Sequence, residues 1–359
     1  MYMTYIIYYL IKKQLRQSTS TEDSSVDLSD IYLLTTDGDV SFERESVEEL
    51  IDVLQRDELV GGVCGRTHPS GSGPIAWYQV FDYAISHWFQ KAAEHVLGSV
   101  MCCPGCFSLF RIKAIKSVLA TYRSNVEKSF EFLQKDMGED RWLSLLLVQA
   151  GWRLEYCAAA KNETHCPTSF DEFFKQRRRW IPSTIVNLGK LCSDGADTAR
   201  RNDNVSLLFI LYQAVLWVSG IIAPSTVILI VSAGFAVTYN INEIAIVVIF
   251  LIVSVLFGFI CFVFPQKVQW LVAKFLTFVF AILMGAVVIG IIYQAVVAFK
   301  QLGDPKEQLN ELSNTTPTPM SEYFGLRDVP QLPFFIHLSS HVCFILFGTC
   351  FVCHPVICF

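Results

Sequence analysis

The chain has 359 residues, 52% of them hydrophobic, a mean hydropathy of +0.41 and a formal net charge of −5. It is too apolar for an ordinary soluble protein, and its mild acidity gives no sign of a nucleic-acid partner. Residues 1–203 carry 23 of the 28 Lys and Arg and 27 of the 33 Asp and Glu, whereas between Val205 and Phe299 only Glu243, Lys267 and Lys274 are charged. A polar, enzyme-like part is joined to a membrane-like part.

Met1–Leu10 is apolar and aromatic, but its basic residues, Lys12 and Lys13, follow it. It is therefore a poor signal peptide and too short to span a bilayer. Residues 18–30 read as a surface loop. Ile31–Thr36 has the continuous apolar and β-branched look of a buried parallel strand. It ends in Asp37-Gly38-Asp39. A helix follows, with Ser46 as a plausible N-cap and Glu49 three residues on. Val60–Cys64 is a second short strand, which completes a βαβ unit with the acidic turn at a strand's carboxyl end, where open α/β sheets bind ligands.

Asp82–Leu97 and Met137–Gln149 are predicted as helices and Trp152–Cys157 as a short strand. Phe170–Ile181 is a basic, aromatic stretch that Pro182 is expected to end. Four apolar segments follow, at about 205–221, 224–239, 244–264 and 270–298, as candidate spans or half-hairpins; each is near the length of a membrane span, the first two being short. Residues 301–333 form a polar loop and 334–359 a last apolar segment. Arg177, Arg178, Arg179, Lys190, Arg200 and Arg201 precede the first span, so the positive-inside rule places residues 1–203 in the cytosol. The sequon at Asn162 would then be out of reach of glycosylation. The twelve cysteines lack paired secretory spacing and suit a reduced compartment. Cys103 and Cys106 lack a second ligand pair, so a buried turn is favoured over zinc.

Sugar transfer from a nucleotide donor needs a divalent cation on the pyrophosphate, a base for the acceptor hydroxyl, and cations or aromatics to hold the substrates. The Asp37 and Asp39 carboxylates are hard oxygen ligands suited to Mg²⁺ or Mn²⁺. Taken alone, such a turn is usually only a polar turn. Gly138-Glu139-Asp140-Arg141-Trp142 opens a helix and offers a carboxylate base. Gln176-Arg177-Arg178-Arg179-Trp180 is an interfacial anchor by its position, and it also suits a diphosphate and a sugar face.

The order of these three elements resembles that of processive glycosyltransferases. Cys64-Gly65-Arg66-Thr67-His68-Pro69, Trp77-Tyr78-Gln79-Val80-Phe81-Asp82-Tyr83-Ala84, Glu94-His95, Cys102-Cys103-Pro104-Gly105-Cys106-Phe107 and Gln176–Trp180 resemble animal chitin synthases. Cellulose and hyaluronan synthases are disfavoured by the same strings. The resemblance implies a Rossmann-like α/β glycosyltransferase domain followed by an α-helical transmembrane bundle. It implies transfer of N-acetylglucosamine from UDP-N-acetylglucosamine to the 4-hydroxyl of a growing chitin chain, with inversion. Asp39, with Asp37, would hold the metal, and Asp140 would be the base. Gln176, Arg179 and Trp180, with Glu139, Arg141 and Trp142, would contact acceptor and pyrophosphate, and Cys106 and Phe107 would lie near the acceptor. Gly38 stands where these relatives usually carry Ala.

The resemblance also implies a multi-pass protein of the plasma membrane, with the lipid bilayer as a partner and room for a homo-oligomer. Only 36 residues precede Asp37, fewer than a uridine-binding half needs. The chain is therefore expected to be incomplete at its N-terminus, with 1–203 a partial catalytic domain and 204–300 transmembrane, and to be inactive alone.

Overall fold

The computed structural model describes residues 31–239 and 241–302. The apolar stretch Met1–Leu10, the loop at 18–30 and the segments after 302, including the second sequon at Asn314, lie outside them. Two compact units meet at Gly220 and Ile221.

The first unit is built on a five-stranded sheet in the order β1-β4-β3-β5-β2. The strands are β1 (Tyr32–Thr36), β2 (Val40–Phe42), β3 (Val60–Ser70), β4 (Phe107–Arg111) and β5 (Arg153–His165). β3 and β5 are parallel, whereas β4 runs antiparallel to both β1 and β3. β1 and β3 thus point the same way, as a βαβ unit requires, but β4 lies between them. The expectation that Ile31–Thr36 pairs in parallel is corrected accordingly. β4 was not legible as a strand because all five of its residues, charged Arg111 included, are buried and show no alternation. The Arg111 guanidinium stays buried because it donates to the carbonyls of Val60 (3.1 Å), Leu54 (2.5 Å) and Asp57 (3.2 Å).

Helices cover both faces of the sheet. On one, α1 (Arg44–Arg56) seats Leu50 and Leu54 against Val60, Val63, Phe107, Leu109 and Ala160. Ser46 is not its cap. Glu43 takes that place, and Ser46 lies inside the helix, where its Oγ accepts from Lys161 N (3.1 Å). On the other face, α4 (Ile112–Tyr122) and α5 (Glu139–Gln149) bury Ile115, Val118, Leu143, Leu145, Leu147 and Val148 with Phe110 and Leu154. Full burial of a side chain of this size stabilises by about 1.5–3 kcal/mol, so these two layers set the orientation of the strand ends.

The helix expected at Asp82–Leu97 begins earlier. α2 (Pro74–Ile85) continues through a π turn (Ser86–Gln90) into α3 (Lys91–Leu97). The strands expected at Val60–Cys64 and Trp152–Cys157 run on to Ser70 and His165, because their polar outer halves pair with each other. Helix α6 (Phe170–Ser193) starts at Ser169, whose Oγ accepts from Glu172 N, and passes through Pro182 instead of ending there. Pro182 removes one backbone donor. The Ser183 and Thr184 hydroxyls donate to the Trp180 carbonyl at 2.9 and 2.7 Å and hold that turn. Asn162 is buried in β5, which puts its sequon out of reach whatever the topology. After α7 (Gly195–Arg201), helix α8 (Leu207–Tyr239) begins in this unit.

In the second unit, the Asn242 side chain caps α9 (Glu243–Val263), and α10 (Gln266–Leu302) follows a tight turn. The Gln269 amide donates to the carbonyls of Cys261 and Phe264, each at 2.9 Å, closing the end of α9. Ile244–Val263 and Gln266–Val297 are long and apolar enough to cross a membrane. Leu207–Ala223 and Ser225–Ala236 pass that test only together, as a pair bent by 53° at Pro224, the geometry of a broken span or a re-entrant loop. The described residues therefore offer two candidate spans, or three if the bent pair is one span. Val255, Phe259, Phe262 and Leu271 are exposed on these helices, as side chains facing lipid are.

Candidate active site

The Asp37-Gly38-Asp39 turn joins β1 to β2 and is closed by Val40 N donating to the Asp37 carbonyl (3.3 Å). Asp37 N also donates to the Cys106 carbonyl (3.4 Å), which ties the turn to the loop before β4. Both residues are exposed as a whole, but the Asp37 carboxyl itself is partly covered by its neighbours. The Asp37 carboxyl lies above its ordinary value, raised by burial, by Asp39 and by Asp140, and lowered by Arg179. Groups interact this way only when close, so the acidic turn, the start of α5 and the middle of α6 converge. Glu139 is raised too, by burial and then by Asp140, with Arg179 opposing. Acidic groups outnumber the cation among them, which suits a divalent ion. Among the described residues no three His, Cys, Asp or Glu side chains come together as a metal site.

Asp140 is half-buried in the first turn of α5. Arg141 N donates to its Oδ1 (2.8 Å) and the Cys102 thiol to its Oδ2 (3.3 Å). Its carbonyl accepts from Ser144 Oγ (2.8 Å), which itself accepts from Cys103 N (3.0 Å). The Cys102–Cys106 loop and α5 are thus stitched around one carboxylate. Burial and then Asp140 push the Cys102 thiol upward, so it stays protonated as a donor. Cys103 is buried beside Cys64, not set out for zinc, and Cys106 Sγ lies 3.6 Å from Thr67 Oγ1.

The three arginines of α6 separate. Arg177 forms an ion pair with Asp82 (2.6 Å) and lies over the rings of Trp180 (4.9 Å) and Phe173 (5.0 Å). Arg179 is exposed and faces the acidic groups. Gln176 Oε1 is buried without a partner among the described residues. Trp180 is half-buried. Two expected substrate contacts fall in the core: Phe107 is fully buried, 5.0 Å from the Phe42 ring, and Trp142 is 6% exposed. Their part is to anchor the loop and α5, because their apolar faces are already covered. Arg141 faces Cys102, Asp140 and Glu94. Lys91 and Ser144 lie outside the strings that the sequence singles out, and Glu94 and Cys102 lie inside them with no role assigned, because nothing in their spacing marks what they do.

A model of the chitin synthase family matches residues 3–294. Chitin synthase chs-2 of Caenorhabditis elegans is 41% identical over 292 residues, which are 81% of this chain and 17% of that protein. The chitin synthase of Meloidogyne artiellia is 44% identical over 261 residues, 72% of this chain and 14% of that one. Chitin synthase chs-1 of Caenorhabditis elegans is 36% identical over 286 residues, 79% and 22% respectively. The chain spans under a quarter of the length of these relatives. With its motifs on an α/β sheet core and the family match running across most of its length, the chain belongs to the chitin synthase family.

Proposed function

We propose that this chain forms part of a chitin synthase that transfers N-acetylglucosamine from UDP-N-acetylglucosamine to the 4-hydroxyl of a growing β-1,4 chain. The observation that carries the reading is that the Cys102–Cys106 loop bonds both acidic strings, the Cys102 thiol donating to Asp140 and the Cys106 carbonyl accepting from Asp37 N, while Asp39, Asp140 and Arg179 all act on the Asp37 carboxyl. Asp37 and Asp39 would hold Mg²⁺ or Mn²⁺, which when bound neutralises the pyrophosphate leaving group. Asp140 takes the proton of the acceptor hydroxyl. Each of its oxygens accepts one hydrogen bond, from Arg141 N and from the Cys102 thiol, and keeps a lone pair for that proton. Arg179 presents donors to the phosphate oxygens, and Gln176 and Trp180 border the acceptor. One base and a single displacement at the anomeric carbon give inversion.

The strands and helices on both sheet faces support a Rossmann-like nucleotide fold. The basic run before α8 supports a cytosolic catalytic side of a multi-pass plasma-membrane protein. The helices beyond it would serve chain translocation, with a homo-oligomer as the assembly to test. Membranes carrying the full-length protein should incorporate radiolabelled donor into polymer that chitinase digests. Asp140→Asn should lower the rate by about 10²–10⁴-fold while donor binding survives. Chitinase-resistant product, or an active Asp140→Asn with an inactive Glu139→Gln, would overturn the assignment.

A further inference from the structure

Helix α3 buries two charges that none of the motifs above explains. Lys91 is 9% and Glu94 3% exposed, and three residues apart they share one helix face. Charged side chains are almost never this buried unless paired. Lys91 makes no ion pair with a carboxylate among the described residues. Its Nζ donates to the Cys102 carbonyl (3.2 Å) and to Cys64 Sγ (3.3 Å). Glu94 Oε2 accepts from Met101 N (3.0 Å), and its Oε1 from Gln213 (3.2 Å) and Gln90 (3.3 Å). Two consecutive residues, Met101 and Cys102, are therefore gripped by two side chains of one helix turn. Cys102 is the residue whose thiol reaches Asp140.

The same grip extends to α8. Gln213 is fully buried on its first turns. Gly98, at φ +143°, ends α3 where any side chain would meet the Asn204 carbonyl just before α8. That backbone conformation favours glycine and lets the two segments touch.

We infer that Lys91 and Glu94 are positioning residues for the base. They fix Met101 and Cys102, and through the Cys102 thiol the direction of the Asp140 carboxylate, with Gln213 making the start of α8 part of the same clamp. The inference rests on Asp140 being the base. A shift of α8, the helix that leads into the apolar part, would then reach Asp140 through three hydrogen bonds and the Met101–Cys102 peptide link.

The test is an exchange of partners in the full-length protein in membranes: Gln213→Glu, Glu94→Gln, and both together. Gln213→Glu sets two buried carboxylates against each other. It should lower kcat by about 10²-fold, the usual effect of a misplacement near 1 Å, with KM for UDP-N-acetylglucosamine unchanged. Glu94→Gln should lose less, because the Gln213 Oε1, which has no partner among the described residues, can accept from the new amide. The double variant restores one carboxylate and one amide in reversed places and should recover kcat to the Glu94→Gln level.

Alkylation of Cys102 by iodoacetamide, read by peptide mass spectrometry, gives a second measurement that needs no catalysis. It should accelerate in Gln213→Glu and return to the native rate in the double variant. Should Gln213→Glu fail to accumulate, Gln213→Leu read by the same alkylation takes its place. Native kcat and native Cys102 reactivity in a folded Gln213 variant, or no recovery on exchange, would overturn the clamp. An active Asp140→Asn would instead remove the base assignment, and the alkylation result would still report whether the loop is held.

Discussion

Gly138 immediately precedes α5 and lies under α6, and replacing it with Ala tests whether the Asp140 helix must sit that close. Its φ of −138° puts no backbone bar on a side chain. The obstacle is Ser183: an added Cβ would lie 2.6 Å from its Cβ and 2.7 Å from its Oγ. Reaching an ordinary contact of about 3.4 Å requires the helices to part by about 0.8 Å. Ser183 cannot simply rotate away, because its own Cβ is in the way and its hydroxyl holds the Trp180 carbonyl. Four residues on, Asn187 donates to the Gln134 carbonyl (3.2 Å), which pins α6 to the π turn (Phe132–Asp136) that precedes α5. Overpacking of this kind costs about 1–3 kcal/mol of stability. The larger effect falls on rate: Asp140 moves relative to Gln176, Arg179 and Trp180, and a misplacement near 1 Å costs about 10²-fold. Donor incorporation should fall by that factor in Gly138→Ala and recover in Gly138→Ala with Ser183→Gly, which removes the clashing atom. A native rate in the single variant, or none regained in the double, would refute the argument.

Asp39→Asn should abolish transfer while expression and membrane insertion persist, since the turn is exposed and little packing is lost. Chelation should do the same to the native protein, reversibly on adding Mg²⁺ or Mn²⁺. A native rate in either case would remove the metal from this turn. Gly38→Ala should leave the rate within about twofold, because a Cβ there meets nothing within 4 Å and the position needs no left-handed backbone. A collapse in activity would mean the turn changes shape during the reaction. For topology, Cys64 and Cys157 are poor reporters because both are buried. The half-buried Cys166 and Cys192 should resist a membrane-impermeant maleimide on intact cells and react once the membrane is opened. Labelling from outside would reverse the orientation.

The residues that meet around the candidate site were readable because each sits in a short string with its own chemical logic. An acidic turn closing a strand, an acid in a first helical turn and a basic-aromatic run can be found without knowing what lies between. The sheet was less legible. β4 hides inside the Cys102–Arg111 string, where a buried Arg and two Phe give no period of two, so the antiparallel strand between β1 and β3 left no pattern. Pro182 misled because sequence rules read it as a terminator, whereas the two hydroxyls after it bond the Trp180 carbonyl and keep the helix going. Pro224 stands where composition divides two short apolar segments, and there the helix is bent instead of interrupted. Phe107 and Trp142 lie within motif strings that border the site, yet each turns inward, and no spacing rule separates a motif residue that touches ligand from one that anchors its neighbour.

That separation has a physical origin. A base must hold its direction to within a fraction of an ångström, and a carboxylate in the first turn of a helix has no such rigidity of its own. Here it comes from groups outside the acidic strings: Ser144 one turn further along α5, the Cys102 thiol across the loop, Ser183 pressed on Gly138, and behind them Lys91 and Glu94. Most of these bonds end on backbone atoms, the Asp140 carbonyl, the Cys102 carbonyl, the Met101 N–H, which every residue type possesses. A sequence shows which side chains can do chemistry. The backbone atoms that aim them carry no letter, so the rigidity of the site emerges only from the fold.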